Sequence, residues 1–219
     1  MLKYPRTVRA IAREIADAAN GALTSYREGD VIEEPQITDR ILGAIVERIR
    51  SVRSRPAGLI GGVVWKARTL RTGRGSAAEE KRHGADLLGV LDIDLPGYRT
   101  RKGFLAQAKR AEPGVPFSNG EWRRLIEQCN ITLRRTPDSF VFIYSIERGI
   151  RIFPANSVVG LISNDIFDLY DRGVSGFFES HIECFIGDPR LNSTDIKTLD
   201  ALAELPVERV LELSATVPE

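Results

Sequence analysis

The sequence predicts an α/β (α+β) fold, in which helices cover a mixed β-sheet, and three features support this prediction. Two segments with helical spacing of apolar residues come first. Three strand-like segments, separated by turn-forming residues, follow between positions 62 and 110. Another helical segment and two more strand-like segments end near position 154, and this order is typical of domains that pack helices on a sheet.

The two N-terminal helices are predicted from their apolar faces. Residues 5–20 place apolar side chains three or four positions apart, and Gly21 lies near the end of this helix. The second helix is expected to begin near Pro35, because proline is favoured in a first helical turn. Its predicted apolar face consists of Ile37, Ile41, Leu42, Ile45 and Ile49.

Three central strands are predicted at residues 62–70, 85–94 and 103–110. The charged, glycine-containing segment RTGRGSAAEEKRHG is expected to form the loop between the first two. The segment LPGYRTRKG is expected to form the turn before the third. This order indicates an antiparallel meander.

The second half of the chain is predicted to contain a helix over about 119–135 and a buried strand over 139–146, because the latter is nearly all apolar. The segment IRIFP predicts a short strand, and the remainder is expected to be mostly helical. We therefore expect a core of residues 1–160, which includes the N-terminal helices. Residues 161–219 are expected to form a helical C-terminal extension packed on the same domain.

The composition favours a soluble protein of the cytoplasm. Of 219 residues, 42% are hydrophobic and 28% are charged, as in ordinary globular proteins. No apolar run approaches the roughly 18–20 residues that span a bilayer, and the first residues lack the apolar core of a signal peptide. Cys129 and Cys184 form no CxxC pattern, and both are expected to be small buried hydrophobes.

The net charge of +1 conceals two basic stretches. Residues 48–78 contain eight basic residues and no acidic one, and residues 99–110 contain five basic residues and no acidic one. Residues 164–219 contain twelve acidic and four basic residues. A molecule with one basic end can bind a polyanion, although solvated basic loops are the alternative. The candidate nucleic-acid contacts are Arg53, Arg55, Lys66, Arg68, Arg71, Arg74, Arg101, Lys102 and Arg110.

Two of the predicted strands carry residues suited to phosphodiester hydrolysis. Asp86 lies at the start of one strand, and Gln107 and Lys109 lie near the end of the next. Side chains two positions apart on a strand point the same way, so Gln107 and Lys109 would meet Asp86 if these strands pair. Oxygen ligands can hold Mg²⁺, which activates a bound water, and a neighbouring lysine can stabilise the developing charge.

At these positions the sequence resembles the PD-(D/E)xK nuclease superfamily. The segment EEKRHGAD, which ends at Asp86, and the segment QAKR, which contains Gln107 and Lys109, match its motifs. With QxK in place of ExK, the chain is most similar to the DNA-cleaving effectors of bacterial anti-phage systems such as CBASS and Lamassu.

Three further segments extend the resemblance over roughly residues 30–160. EPQITD, which begins at Glu34, is similar to the start of the family's first helix. EWRRLIEQCNITLRRTPDSFVFIYS is similar to the helix and strand that follow QxK, and FPANSV is similar to the segment after them.

The resemblance implies a restriction-endonuclease-like fold and a metal-dependent endonuclease that hydrolyses DNA, expected to be double-stranded, as an effector in anti-phage defence. It implies Mg²⁺ or Mn²⁺ as the cofactor. A regulatory or sensor protein, or a second copy of the chain, is an expected partner. The implied catalytic residues are Asp86, Gln107, Lys109, Glu80 and Glu34, of which all but Lys109 are implied metal ligands.

Several alternatives stay open. Glu79 could replace Glu80, and Glu33 could replace Glu34. Because Gln107 stands where the family usually has a carboxylate, the site has one negative charge fewer. The alternative function is therefore a catalytically weak or inactive subunit of nuclease fold that binds nucleic acid or assembles with a partner. RNA also stays open as a substrate.

Overall fold

A mixed β-sheet with helices on both faces organises the chain, which confirms the predicted α/β (α+β) class. The computed structural model describes residues 4–50, 52–54, 62–71, 85–192 and 207–218. Within these residues the sheet has eight strands in the order β1-β2-β8-β3-β4-β5-β6-β7.

The predicted helices and strands are present in the described residues, with β4 starting five residues earlier than expected. The helices are α1 (Pro5–Ala22), α2 (Thr24–Arg27), α3 (Glu34–Arg50), α4 (Asn119–Leu133), α5 (Ala155–Gly160) and α6 (Val174–Ile182), with a 3₁₀ turn at Ile166–Asp168. The strands are β1 (Arg53–Ser54), β2 (Val63–Arg71), β3 (Ala85–Leu95), β4 (Tyr98–Arg110), β5 (Ser139–Ser145), β6 (Gly149–Pro154), β7 (Arg172–Gly173) and β8 (Val207–Thr216).

Strand β8 corrects two predictions. It lies between β2 and β3, antiparallel to β2 and parallel to β3, so the expected meander is wrong and only its β3–β4 hairpin is present. The expectation of a helical extension over residues 161–219 holds for α6 but is wrong for 207–216. Leucine and glutamate in this segment favour a helix, but its burial between two strands overrides that preference.

The helices bury their apolar faces on opposite sides of the sheet. Helices α1, α3 and α6 share one hydrophobic cluster with the strands, and α4 and α5 share another with β5 and β6. All five isoleucine and leucine residues predicted for the face of α3 are buried. Gly89 of β3 allows the ring of Phe104 on β4 to lie close to the backbone, because a Cβ atom at position 89 would be 2.2 Å from that ring.

The two cysteines differ in their surroundings. Cys129 lies on the buried face of α4, as expected, and burial raises the pKa of its thiol to about 12. Cys184 is exposed, so its prediction as a buried hydrophobe is wrong. Among the helices of the described residues, none has the length and apolar character needed to cross a membrane.

An arginine anchors β8 to the start of α3. Arg209 is 9% exposed, and its Nε donates to Oδ1 of Asp39 at 2.6 Å. Its guanidinium also donates to the backbone carbonyl of Pro35 at 3.3 Å. Beside it, the hydroxyls of Thr38 and Tyr144 are 2.9 Å apart and join α3 to β5. The first turn of α3 is therefore held against the ends of two strands.

We expect Arg209→Met to lower the free energy of unfolding by about 2 kcal/mol. Removing one member of a buried ion pair leaves the other without compensation, and the partial exposure of Asp39 moderates the loss. Arg50→Met is the matched control, because Arg50 pairs with Glu47 on the surface and should contribute less than about 0.5 kcal/mol. Urea denaturation measures both, and equal losses would contradict the anchoring role of Arg209.

Candidate active site

The register of β3 and β4 brings three predicted site residues together. The two strands are adjacent and antiparallel, and their ladder reaches the pair of Leu87 and Ala106. One position further along, Asp86 lies opposite Gln107 on the same face of the sheet. Lys109 follows two positions after Gln107 and therefore points to this face.

Asp86 occupies the position where β3 stops pairing with β4. Its Oδ2 atom accepts a hydrogen bond from the backbone N–H of Ala108 at 2.7 Å. Burial raises the pKa of Asp86 to about 6, although the Lys109 ammonium and the Ala108 hydrogen bond favour the ionised form. A half-buried carboxylate whose pKa is raised in this way is typical of functional sites.

Gln107 supplies an uncharged polar side chain beside Asp86. It is 1% exposed, and Val141 of β5 is its neighbour on the other side. An amide in this position can offer an oxygen without adding a second buried negative charge next to Asp86.

Glu34, in the first turn of α3, reaches the same strand ends. Its Oε2 atom is 3.4 Å from Nζ of Lys109, and its Oε1 atom accepts the backbone N–H of Arg110 at 3.2 Å. Glu33 is exposed. Of these two alternatives, the structure therefore brings Glu34 to the site, where it contacts the lysine.

Glu208 is a neighbour of Asp86 that the sequence analysis missed. In the parallel ladder of β3 and β8, Ala85 pairs with Val207 and Leu87 pairs with Arg209, so Glu208 lies beside Asp86. Its charge is one of the smaller contributions that raise the pKa of Asp86, after burial. No local pattern marks this residue, because its position depends on long-range pairing of a segment predicted to be helical.

Glu80 lies outside the described residues, as do Glu79, Arg55 and Arg74. Within the part of the chain that the structure describes, no group of three histidine, cysteine, aspartate or glutamate side chains is arranged to hold a metal ion. The described side chains that could offer oxygen atoms next to Lys109 are those of Asp86, Gln107 and Glu34.

The predicted nucleic-acid contacts divide into several groups. Lys66 is exposed on β2, and Arg110 is 42% exposed beside Glu34. Lys102 is 2% exposed and donates from Nζ to the backbone carbonyl of Ile186, so its prediction as a phosphate contact is wrong. Its position in the sequence suggested a surface charge, but its strand position faces the layer of α6. The side chains of Arg53 and Arg71 lie outside the described residues.

Arg68 and Arg101 point to the same face of the sheet and share a carboxylate. Both form ion pairs with Glu212 of β8, which is only 8% exposed, and the distance from Arg101 Nη2 is 3.2 Å. Arg101 also lies 3.5 Å from Asp92. These ion pairs neutralise part of the basic charge on this face of the sheet.

A cleft of about 770 Å³ opens between the end of β4 and helix α4. Lys109 lies in its wall, and its charge is among the smaller influences that lower the pKa of Glu121, after the hydrogen bonds from Ser118. The lining residues are Glu34, Lys109, Arg110, Phe117, Glu121, Arg124, Glu127 and Gln128. The candidate catalytic lysine is therefore accessible from this cleft.

No family model, no curated protein and no solved structure matches this chain.

We expect Asp86→Asn to stabilise the protein near neutral pH. Asparagine can still accept the Ala108 hydrogen bond, but it carries no charge to bury. An ordinary aspartate ionises near 3.9, whereas the pKa of Asp86 in the folded protein is about 6. The contribution of protonated Asp86 to the free energy of unfolding is therefore complete below about pH 4. This contribution is lost as the pH rises through about 6.

The variant should exceed the wild type by about 2 kcal/mol in free energy of unfolding at pH 7.5 and should match it near pH 4. Denaturant titrations at the two pH values test this without added divalent metal. Asp94→Asn is the control, since Asp94 lies on the same strand with 52% of its side chain exposed. A pH-independent gain would contradict the assignment to Asp86.

Proposed function

We propose that the chain is a metal-dependent endonuclease that hydrolyses phosphodiester bonds of DNA. The observation that carries the proposal is the placement of Asp86, Gln107 and Lys109 on one face of two adjacent strands, next to an open cleft. A carboxylate, an amide oxygen and an ammonium in one place can hold a divalent cation and stabilise the charge that develops when a phosphate diester is hydrolysed.

The donor set is compatible with Mg²⁺ or Mn²⁺. Mg²⁺ keeps several of its waters and is often bound through one or two protein carboxylates, so the absence of a three-carboxylate cluster among the described residues is compatible with it. Asp86 and Gln107 would hold the ion. Its positive charge would offset the free-energy cost of placing the negative charge of Asp86 where water has little access. When bound, the ion would acidify a water and neutralise charge on the phosphate.

Lys109 and Glu34 would act on the phosphate side of the site. The ammonium of Lys109 can hold the attacking water or a phosphate oxygen in place and can stabilise the charge that develops in the transition state. Glu34, at 3.4 Å, positions this ammonium between the end of β4 and the cleft.

Backbone phosphates would be bound by the exposed basic residues near the site. Arg110 and Arg124 line the cleft, and Lys66 lies on the same broad face of the sheet. Contacts of this kind position DNA without reading its sequence. The choice of double-stranded DNA, a role in anti-phage defence and control by a partner or by self-assembly rest on the resemblance to effector nucleases.

A binding or assembly subunit without activity is the second candidate, because the uncharged Gln107 beside Asp86 stands where the family usually has a carboxylate. Plasmid DNA and RNA, each incubated with Mg²⁺, Mn²⁺ or EDTA, separate the two. Metal-dependent cleavage of DNA supports the nuclease. DNA binding without cleavage in either metal would favour the subunit and overturn the proposed activity.

We expect Lys109→Ala to lower the rate of DNA cleavage by at least about 100-fold while DNA affinity changes little. A group that acts mainly in the transition state affects rate more than binding, and losses of about 10²–10⁴ are usual for such groups. Single-turnover cleavage and anisotropy titrations measure the two effects. Lys66→Ala, at an exposed lysine of β2, is the control and should leave the single-turnover rate at saturation unchanged.

We expect Glu212→Gln to strengthen DNA binding at low salt. This change removes the carboxylate that Arg68 and Arg101 share, while Asp92 still pairs with Arg101, so the plot of log K against log[salt] should steepen by about one to two units. Glu47→Gln adds the same charge but affects only an exposed pair with Arg50 on α3. Identical slopes in the two variants would show that this face of the sheet does not contact DNA.

A further inference from the structure

An aromatic side chain lies in the same cleft as the candidate catalytic lysine. Phe117 precedes α4 and lines the cleft together with Lys109, Arg110 and Arg124, and three glutamates also contribute to the lining. Phosphodiester hydrolysis has no use for a phenyl ring, but an aromatic ring beside cations is the usual arrangement for holding a nucleotide, with the base stacked and the phosphate paired.

The backbone at Phe117 is held firmly on both sides. Its N–H donates to the carbonyl of Asn164 at 2.9 Å, and the Asn164 side chain donates back to the carbonyl of Phe117. The ring stacks on Trp122 with an interplanar angle of 26° and centroids 5.9 Å apart. The next residue, Ser118, caps α4 through a reciprocal pair of hydrogen bonds with Glu121. The ring is thus preorganised before any ligand enters.

The size of the cleft suits a strand better than a duplex. Its volume of about 770 Å³ lies within the ~300–1,000 Å³ typical of pockets that enclose small molecules. Nucleotides of a single strand can enter such a space, whereas a double helix would have to lie across its opening. A base could therefore reach Phe117 only after leaving its partner strand.

We infer that Phe117 stacks against an unpaired base next to the scissile phosphate, so that a double-stranded substrate would carry a single-stranded stretch at the site of cleavage. The inference rests on the proposed function. Arg110 and Arg124 would hold the phosphates on either side of the base, and Lys109 would face the phosphate that is cleaved. Phe117 also packs on the apolar cluster under α4, so a purely packing role is the alternative that the experiment has to separate.

Two substitutions distinguish stacking from packing. Phe117→Tyr keeps an aromatic ring, whereas Phe117→Leu keeps apolar bulk but removes the ring. Phe167→Leu is the matched control, because Phe167 is a half-buried aromatic residue that packs on the same cluster and does not line the cleft. Thermal melts of all variants show whether each one is folded.

The probes are a labelled single strand and the same sequence as a blunt duplex, each with one 2-aminopurine, titrated in EDTA so that nothing is cleaved. We expect tighter binding of the single strand and quenching of 2-aminopurine by the wild type and Phe117→Tyr. Phe117→Leu should weaken single-strand binding by about 10-fold, the size of one lost base–aromatic stack, and leave duplex binding unchanged.

Equal effects of Phe117→Leu and Phe167→Leu, or equal affinity of the wild type for the two probes without quenching, would overturn the inference. In that case cleavage of duplex DNA in Mg²⁺, measured separately, would still support the proposed nuclease. If neither probe binds and neither is cleaved, the nuclease proposal fails together with the inference.

Discussion

The insertion of β8 between β2 and β3 is the constraint on which the rest of the structure depends. The central strands have a complete set of backbone partners only when residues 207–216 pair with both neighbours. The same strand carries Arg209, which holds the start of α3, and Glu208, which lies beside Asp86. One long-range pairing thus completes the sheet, places Glu34 and shapes the electrostatics of the candidate site.

Opposing electrostatic influences act on Asp86, at the position where β3 stops pairing with β4. Desolvation and the charges of Glu208 and Glu34 oppose the ionisation of Asp86, whereas Lys109 and the backbone N–H of Ala108 favour it. A protein selected only for stability has no reason to keep an acid here, whereas a site that binds a cation does. At the other end of the sheet face, Glu212 pairs with two arginines and lowers the net positive potential available to a polyanion.

Local patterns in the sequence were enough for the helices and for the shared face of the catalytic candidates. The apolar spacing of α1 and α3 and the two-residue step from Gln107 to Lys109 depend only on near neighbours in the chain. The position of Glu208 and the burial of Lys102 could not be predicted in this way. Both depend on which distant segment packs against a strand, and the local alternation of residues contains no information about that partner.

The central position of β8 has a consequence for how the chain folds. Strands β3 and β4 can form a hairpin early, since a two-residue turn joins them, but the other edge of β3 stays open until a segment more than 100 residues later arrives. Pairing over such separations slows folding, and an open apolar strand edge invites association with other chains in the meantime. During synthesis, this edge of β3 therefore has no native partner until residues 207–216 have been made.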